Sequence, residues 1–192
     1  MKFGYLGYIL YRLLGRIKAK IFSVLVGGGF HAFGNRSVIV PPVKLDGIEA
    51  ISIGSRVYIG RNSWLIFSGR SLGNSQIGII IRDGVSISGD CVISAVKSVI
   101  IDENVLMGRC VHISDHRHRF EGYDLPILEQ GIAGILPVHI KAGAWLGQGV
   151  VICPGVTIGE NAVVGANSVV REDVPDRCIA AGIPAKVIRS IS

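Results

Sequence analysis

The sequence predicts an all-β chain wound as a parallel β-helix prism, with a short amphipathic helix at its N-terminal end and one protruding loop. Three observations carry that expectation. Ile and Val total 50 residues against 13 Leu, and β-branched side chains favour pleated backbone over helix. Glycine accounts for 26 of 192 residues, about twice ordinary usage, so the chain must turn often and many corners should need a positive φ. From Ile53 onward an aliphatic residue returns every six positions.

Composition bounds the rest. The length suits one domain or one domain with an appendage. With 49% hydrophobic and 18% charged residues the chain buries enough apolar surface to offset its ordering entropy, which excludes disorder. The net charge of +6 points to anionic partners such as phosphates or a membrane surface, without naming one. Cys91, Cys110, Cys153 and Cys178 form no C-x-x-C pair, so neither a zinc knuckle nor a dithiol site is suggested and a reducing, cytoplasmic setting is expected.

Residues 1–34 read as an amphipathic helix and linker. Leu6, Leu10, Leu13, Leu14, Ile17 and Ile21 recur at helical spacing, and Gly27, Gly28 and Gly29 stop the segment. Arg12, Arg16, Lys18 and Lys20 break the apolar run, so neither a spanning helix nor a secretory signal is expected. The stripe should pack on the body or on a neighbouring subunit; attachment to anionic lipid at the inner membrane is the sharper alternative.

Residues 35–178 carry the repeat. Units begin at Ile53, Ile59, Ile81, Ile87, Ile101 and Met107, and an unbroken series begins at Ile140, Leu146, Ile152, Ile158, Val164 and Val170. The fifth position of each unit is Ala, Val, Ser or Cys, never a long side chain. A large and a small inward residue every six positions suits a short strand and a sharp corner, so three units close a coil of about 18 residues, stacked roughly 4.8 Å apart. The rhythm breaks between Leu65 and Ile81 and around Lys97 and Ser98, both read as local bulges, and it stops entirely over residues 114–138. A long excursion from a rigid scaffold is where function usually sits.

These residues resemble the hexapeptide-repeat acyltransferases, in the branch of bacterial O-acetyltransferases that act on maltose, galactosides and polysaccharides. The likeness runs from about Ile51 to the C-terminus. It rests on I-S-D-H-R-H at Ile113 to His118, A-W-L-G-Q at Ala144 to Gln148, I-C-P-G-V-T-I-G at Ile152 to Gly159 and A-G-I-P-A-K at Ala181 to Lys186. The resemblance implies a left-handed β-helix, a homotrimer and acetyl-CoA as co-substrate, with no resident metal and no nucleic-acid partner. The hand comes from the resemblance alone, since ordinary crossover rules favour the other.

The same resemblance makes His116 the catalytic base. An imidazole with an unperturbed pKa of about 6.5 suits removal of a hydroxyl proton near neutrality. Asp115, Glu121 and Glu129 are alternative partners to orient it. The resemblance assigns coenzyme contacts to Trp145, Gln148, Ala166, Arg171, Lys186 and Arg189, within and beside a C-terminal segment at 179–192. Ser88, Asp90, Asp115 and His118 are candidates for contact with the acceptor, although clear counterparts of the galactoside enzyme's acceptor residues are not recognisable around Ser86, Ser88 and Asp90. His112, His116 and His118 raise a zinc reading, weakly, because no carboxylate lies at a settled spacing.

The N-terminal module of the small-sugar enzymes is not recognisable, and the basic helix with V-I-V-P-P-V-K-L-D-G-I-E-A-I-S-I-G looks like the start of enzymes of capsule or lipopolysaccharide assembly. The expected acceptor is therefore a glycan hydroxyl. Alternatives are another acceptor, such as an amino sugar or an antibiotic, a γ-carbonic-anhydrase-like metalloprotein on the same scaffold, and a non-catalytic β-helix.

Overall fold

The computed structural model describes residues 3–69, 77–122 and 124–191. A helix, α1 (Phe3–Gly27), precedes short strands that follow one another around a triangle and pair in parallel with the strand one turn away. The chain winds as a left-handed parallel β-helix. Among the described residues the three faces hold six, eight and six strands. The first face runs from Ala32–Phe33 to Thr157–Ile158, the second from Val38–Ile39 through Cys178–Gly182 to Ala185–Ser190, and the third from Lys44–Asp46 to Val169–Val170.

Inward residues form ladders, because in-register parallel strands place like positions one above another. On the first face Ile53, Ile81, Ile101, Ile140 and Ile158 stack in register and are all buried. The small fifth residues, such as Val57, Val85, Val105, Ala144 and Ala162, are buried at the corners, where three strands leave no room for more. A full turn from Ile140 to Ile158 takes 18 residues. The turn from Ile81 to Ile101 takes 20, and the two added residues lie at the corner after Val92–Ala95. Part of the irregular stretch between Leu65 and Ile81 lies outside the described residues.

The corners refine the expectation drawn from glycine. The left-handed backbone recurs at the fourth position of every unit but the one starting at Val170, and there it is carried as often by Asn62, Asn104, Asn161 and Asn167 as by glycine. Asn tolerates that conformation better than most side chains do. The glycine at the second position answers a different demand. A Cβ on Gly147 would lie 2.6 Å from the backbone nitrogen of Ala166, so successive coils approach too closely there for any side chain.

Both ends of the stack would leave unpaired strand edges. At the C-terminal end Cys178–Gly182 pairs with Val163–Val164 and folds back antiparallel on Ala185–Ser190. At the N-terminal end α1 crosses the edge through one narrow side formed by Ala19, Phe22, Ser23 and Val26. The Ser23 hydroxyl accepts from the Ile39 N–H at 2.8 Å and donates to the Ala19 carbonyl at 2.7 Å, which fixes the crossing point. The leucine stripe does not pack on the body: Leu6, Leu10, Leu13, Leu14, Ile17 and Ile21 are all exposed. Among the described residues no helix is long and apolar enough to cross a membrane.

Candidate functional site

The long excursion leaves the third face after His112–Ser114 and returns at Val138–Ile140 on the first. Its two ends are tied to each other, because the Leu136 N–H donates to the Asp115 carbonyl at 2.8 Å. Beyond the root it forms an arm in which Arg117–His118 pairs antiparallel with Ile132–Ala133. Arg117 stacks on Phe120 and bonds Glu121 at 2.6 Å, so Glu121 is engaged within the arm.

At the root Asp115 is fully buried. Its carboxylate accepts from three successive backbone N–H groups: Val96 at 2.9 Å, Lys97 at 2.7 Å and Ser98 at 2.7 Å. These belong to the corner that carries the two added residues. A run of N–H groups aimed at one point is an anion-binding nest. The remaining bond comes from His116, whose Nδ1 lies 2.8 Å from Asp115 Oδ1. Burial acts most strongly, raising the pKa of the carboxyl. The His116 ring and the three N–H groups together outweigh burial and hold Asp115 below its usual value, hence ionised.

An ionised carboxylate at Nδ1 makes that nitrogen the donor, which leaves Nε2 as the proton acceptor of a neutral ring. His116 is 16% exposed in its side chain, reachable but held. The Ser114 hydroxyl donates to the His116 carbonyl at 2.8 Å and supports the same turn. Of the three partners considered for the imidazole, Asp115 is the one in contact. Glu129 sits in a helical turn (Ile127–Glu129) out on the arm.

His112 occupies the outer row of the third face between Val92 and Val151. Although His112 is exposed, the protein around it partly strips its ring of water, and this, then the charge His116 would carry, pushes it below the ordinary histidine value. His118 is exposed on the arm. Among the described residues no three His, Cys, Asp or Glu side chains are placed to hold a metal ion.

The other candidates lie elsewhere on the prism. Trp145, half exposed, stands on the outer row of the second face between Leu106 and Val163. Gln148 and Ala166 occupy equivalent exposed positions on successive coils, at the edge where the second face gives way to the third. Ser88 and Asp90 share that edge. The Ser88 hydroxyl donates to the Met107 carbonyl at 2.8 Å, and the Asp90 carboxylate accepts from Asn62 at 2.9 Å and Arg109 at 3.0 Å. His116 emerges at the opposite margin of the third face, roughly the 13 Å length of a four-residue strand away. Arg171, Lys186 and Arg189 are exposed at the C-terminal end, where Lys186 bonds Glu172 at 3.0 Å. One chain therefore brings together Asp115 and His116 and leaves the other candidates on separate surfaces.

The nest was missed in the sequence because backbone N–H groups have no letter. Its signal was the two-residue slip around Lys97 and Ser98, which reads as a bulge until Asp115 is placed beside it.

Comparison with known proteins fits this geometry. The family model described as bacterial transferase hexapeptide (six repeats) matches residues 137–172. The chain is 33% identical over 175 residues to a putative acetyltransferase of Saccharomyces cerevisiae, covering 91% of this chain and 71% of that one. It is 35% identical over 117 residues to a putative lipopolysaccharide biosynthesis O-acetyl transferase of Escherichia coli, covering 58% and 60%. A solved galactoside acetyltransferase in complex with coenzyme A superposes with a TM-score of 0.58 at 28% identity, over 88% of this chain and 70% of that one. Against three other curated acetyltransferases the chain spans 65%, 48% and 36% of their length. The repeat, its arm and these likenesses together place the chain in the hexapeptide-repeat acetyltransferase family.

Proposed function

We propose that the chain transfers an acetyl group from acetyl-CoA to a sugar hydroxyl, with His116 as general base and no acyl-enzyme. The observation that carries this reading is the buried Asp115 carboxylate, which sets the tautomer of a reachable imidazole at the root of the arm. Nε2 of His116 removes the hydroxyl proton as the oxygen attacks the thioester carbonyl. The tetrahedral oxyanion forms against backbone N–H donors, and its collapse breaks the C–S bond. The thiolate of coenzyme A then takes the proton back from the imidazolium, so the base is restored each turnover.

Trp145, Gln148 and Ala166 are proposed to flank the pantetheine arm, with Arg171, Lys186 and Arg189 toward the nucleotide phosphates. Because these residues and His116 lie on different margins of one chain, the working cleft is proposed to form between subunits of a homotrimer. His118 on the arm and Ser88 and Asp90 on the facing edge are proposed to meet the acceptor there. The similarity to a lipopolysaccharide O-acetyl transferase supports a surface glycan or its lipid-linked precursor as that acceptor.

Calorimetry with acetyl-CoA, followed by thiol release in the presence of a panel of glycans, tests the proposal. The expected result is coenzyme binding and acceptor-dependent release. Absence of coenzyme binding, with zinc at one equivalent per subunit, would replace it with the metalloprotein reading.

A further inference from the structure

Among the described residues, helix α1 carries twelve exposed large apolar or aromatic side chains, from Tyr5 to Leu25. Every described residue from Gly4 to Lys18 is exposed, and the side chains that pack on the body are those of Ala19, Phe22, Ser23 and Val26. On a helical wheel those four lie opposite the stripe of Leu6, Leu10, Leu13, Leu14, Ile17 and Ile21. The stripe thus lies on the side of the helix opposite that contact, and it continues into Val24 and Leu25, which are 80% and 77% exposed.

Its borders identify what covers it. Lys18 and Lys20 flank the stripe on either side, Arg12 and Arg16 lie behind it, and the helix contains no acidic residue. A bundle of identical helices packed through the stripe would set Lys18 and Lys20 of neighbours side by side with no carboxylate to answer them. An anionic bilayer answers both features at once, taking the leucines among its acyl chains and the ammonium groups among its headgroups. The helix is not apolar enough to cross, so it lies in the surface plane.

We propose that α1 docks the protein onto an anionic lipid bilayer through its leucine stripe, with the β-helix standing off the membrane on the other side of the helix. Docking of α1 needs neither the coenzyme nor the acceptor, so it stands or falls independently of the acetyl-transfer reading.

Flotation of the full chain with vesicles of phosphatidylcholine, alone or mixed with phosphatidylglycerol, tests it. The protein is expected to float with the mixed vesicles and not with the neutral ones. Lys18→Gln with Lys20→Gln should weaken binding about thirtyfold. Leu10→Glu with Ile17→Glu should weaken it by more than about tenfold. All four positions are exposed, so the melting temperature should not move, and a melt of each variant checks that. Failure of the wild-type chain to float, or equal flotation with neutral vesicles, would overturn the proposal. So would a fall in subunit number on sedimentation of the Leu10→Glu, Ile17→Glu chain at unchanged melting temperature, which would assign the stripe to a second copy.

Discussion

Among the described residues the molecule holds two histidine–carboxylate pairs of nearly equal length. His116 meets Asp115 at 2.8 Å, and His139 meets Asp102 at 2.6 Å. The second pair lies on the outer surface of the first face, where His139 is 39% exposed in its side chain and Asp102 also bonds Arg82 at 2.9 Å. The first pair sits where the coil is interrupted, with a carboxylate sealed from water and saturated by three backbone donors. A contact distance does not distinguish them. What differs is who else holds the carboxylate: a guanidinium on the surface neutralises Asp102, whereas a nest of neutral N–H groups leaves Asp115 its full charge to orient one ring.

The largest expected contrast between the two is in activity. His116→Ala should lower acetyl transfer by about 10³-fold while His139→Ala leaves it within about twofold, read as acceptor-dependent thiol release. Equal losses would mean that the imidazole on the first face matters as much, and the comparison would collapse.

Stability gives the next contrast. Asp115→Asn turns one acceptor oxygen into an amide donor facing N–H donors, so it should cost about 1–3 kcal/mol in denaturant unfolding as well as activity. Asp102→Asn, at a solvent-reached ion pair, should cost about 0–1 kcal/mol.

A pH series sharpens the cause. Because the folded value of Asp115 is depressed, its contribution is present above the ordinary carboxylate pKa and is lost as pH falls through the lower folded value. The stability gap between wild type and Asp115→Asn should therefore shrink as the solution is acidified below about pH 4. A gap that stays constant would assign the defect to packing instead.

The smallest effect belongs to His112. Partial desolvation and the His116 charge depress its ring, so the folded state resists protonation that the unfolded chain accepts. Wild type should lose stability as pH falls below about 6.5, and His112→Gln should flatten that part of the melting-temperature profile.

Much of this architecture is legible in the order of residues. Ile140, Leu146, Ile152 and Ile158 announce the coil because each inward ladder demands the same side-chain type at every turn, and the arm shows as the place where the demand stops. His116 is legible through its resemblance to the acyltransferases. The nest is not, since the Val96, Lys97 and Ser98 contribution is made by backbone. The helix misleads for another reason: the side that packs is small and mixed, Ala19 and Ser23 with Phe22 and Val26, so the large leucines opposite it dominate any pattern drawn from hydrophobicity. Trp145 and His116 stand on different faces of one chain, so the repeat alone does not bring them together.

The ladder also works as a ruler. His112–Ser114 is the fourth strand of the third face, so the imidazole is elevated by three strand spacings, about 14 Å, above the coil on which α1 rests. Each turn adds one in-register strand per face, so gaining or losing a whole turn shifts His116 by about 4.8 Å without disturbing any neighbour's pairing. Altitude above the N-terminal platform is consequently adjustable in fixed increments, a freedom that folds with interdigitated cores do not have.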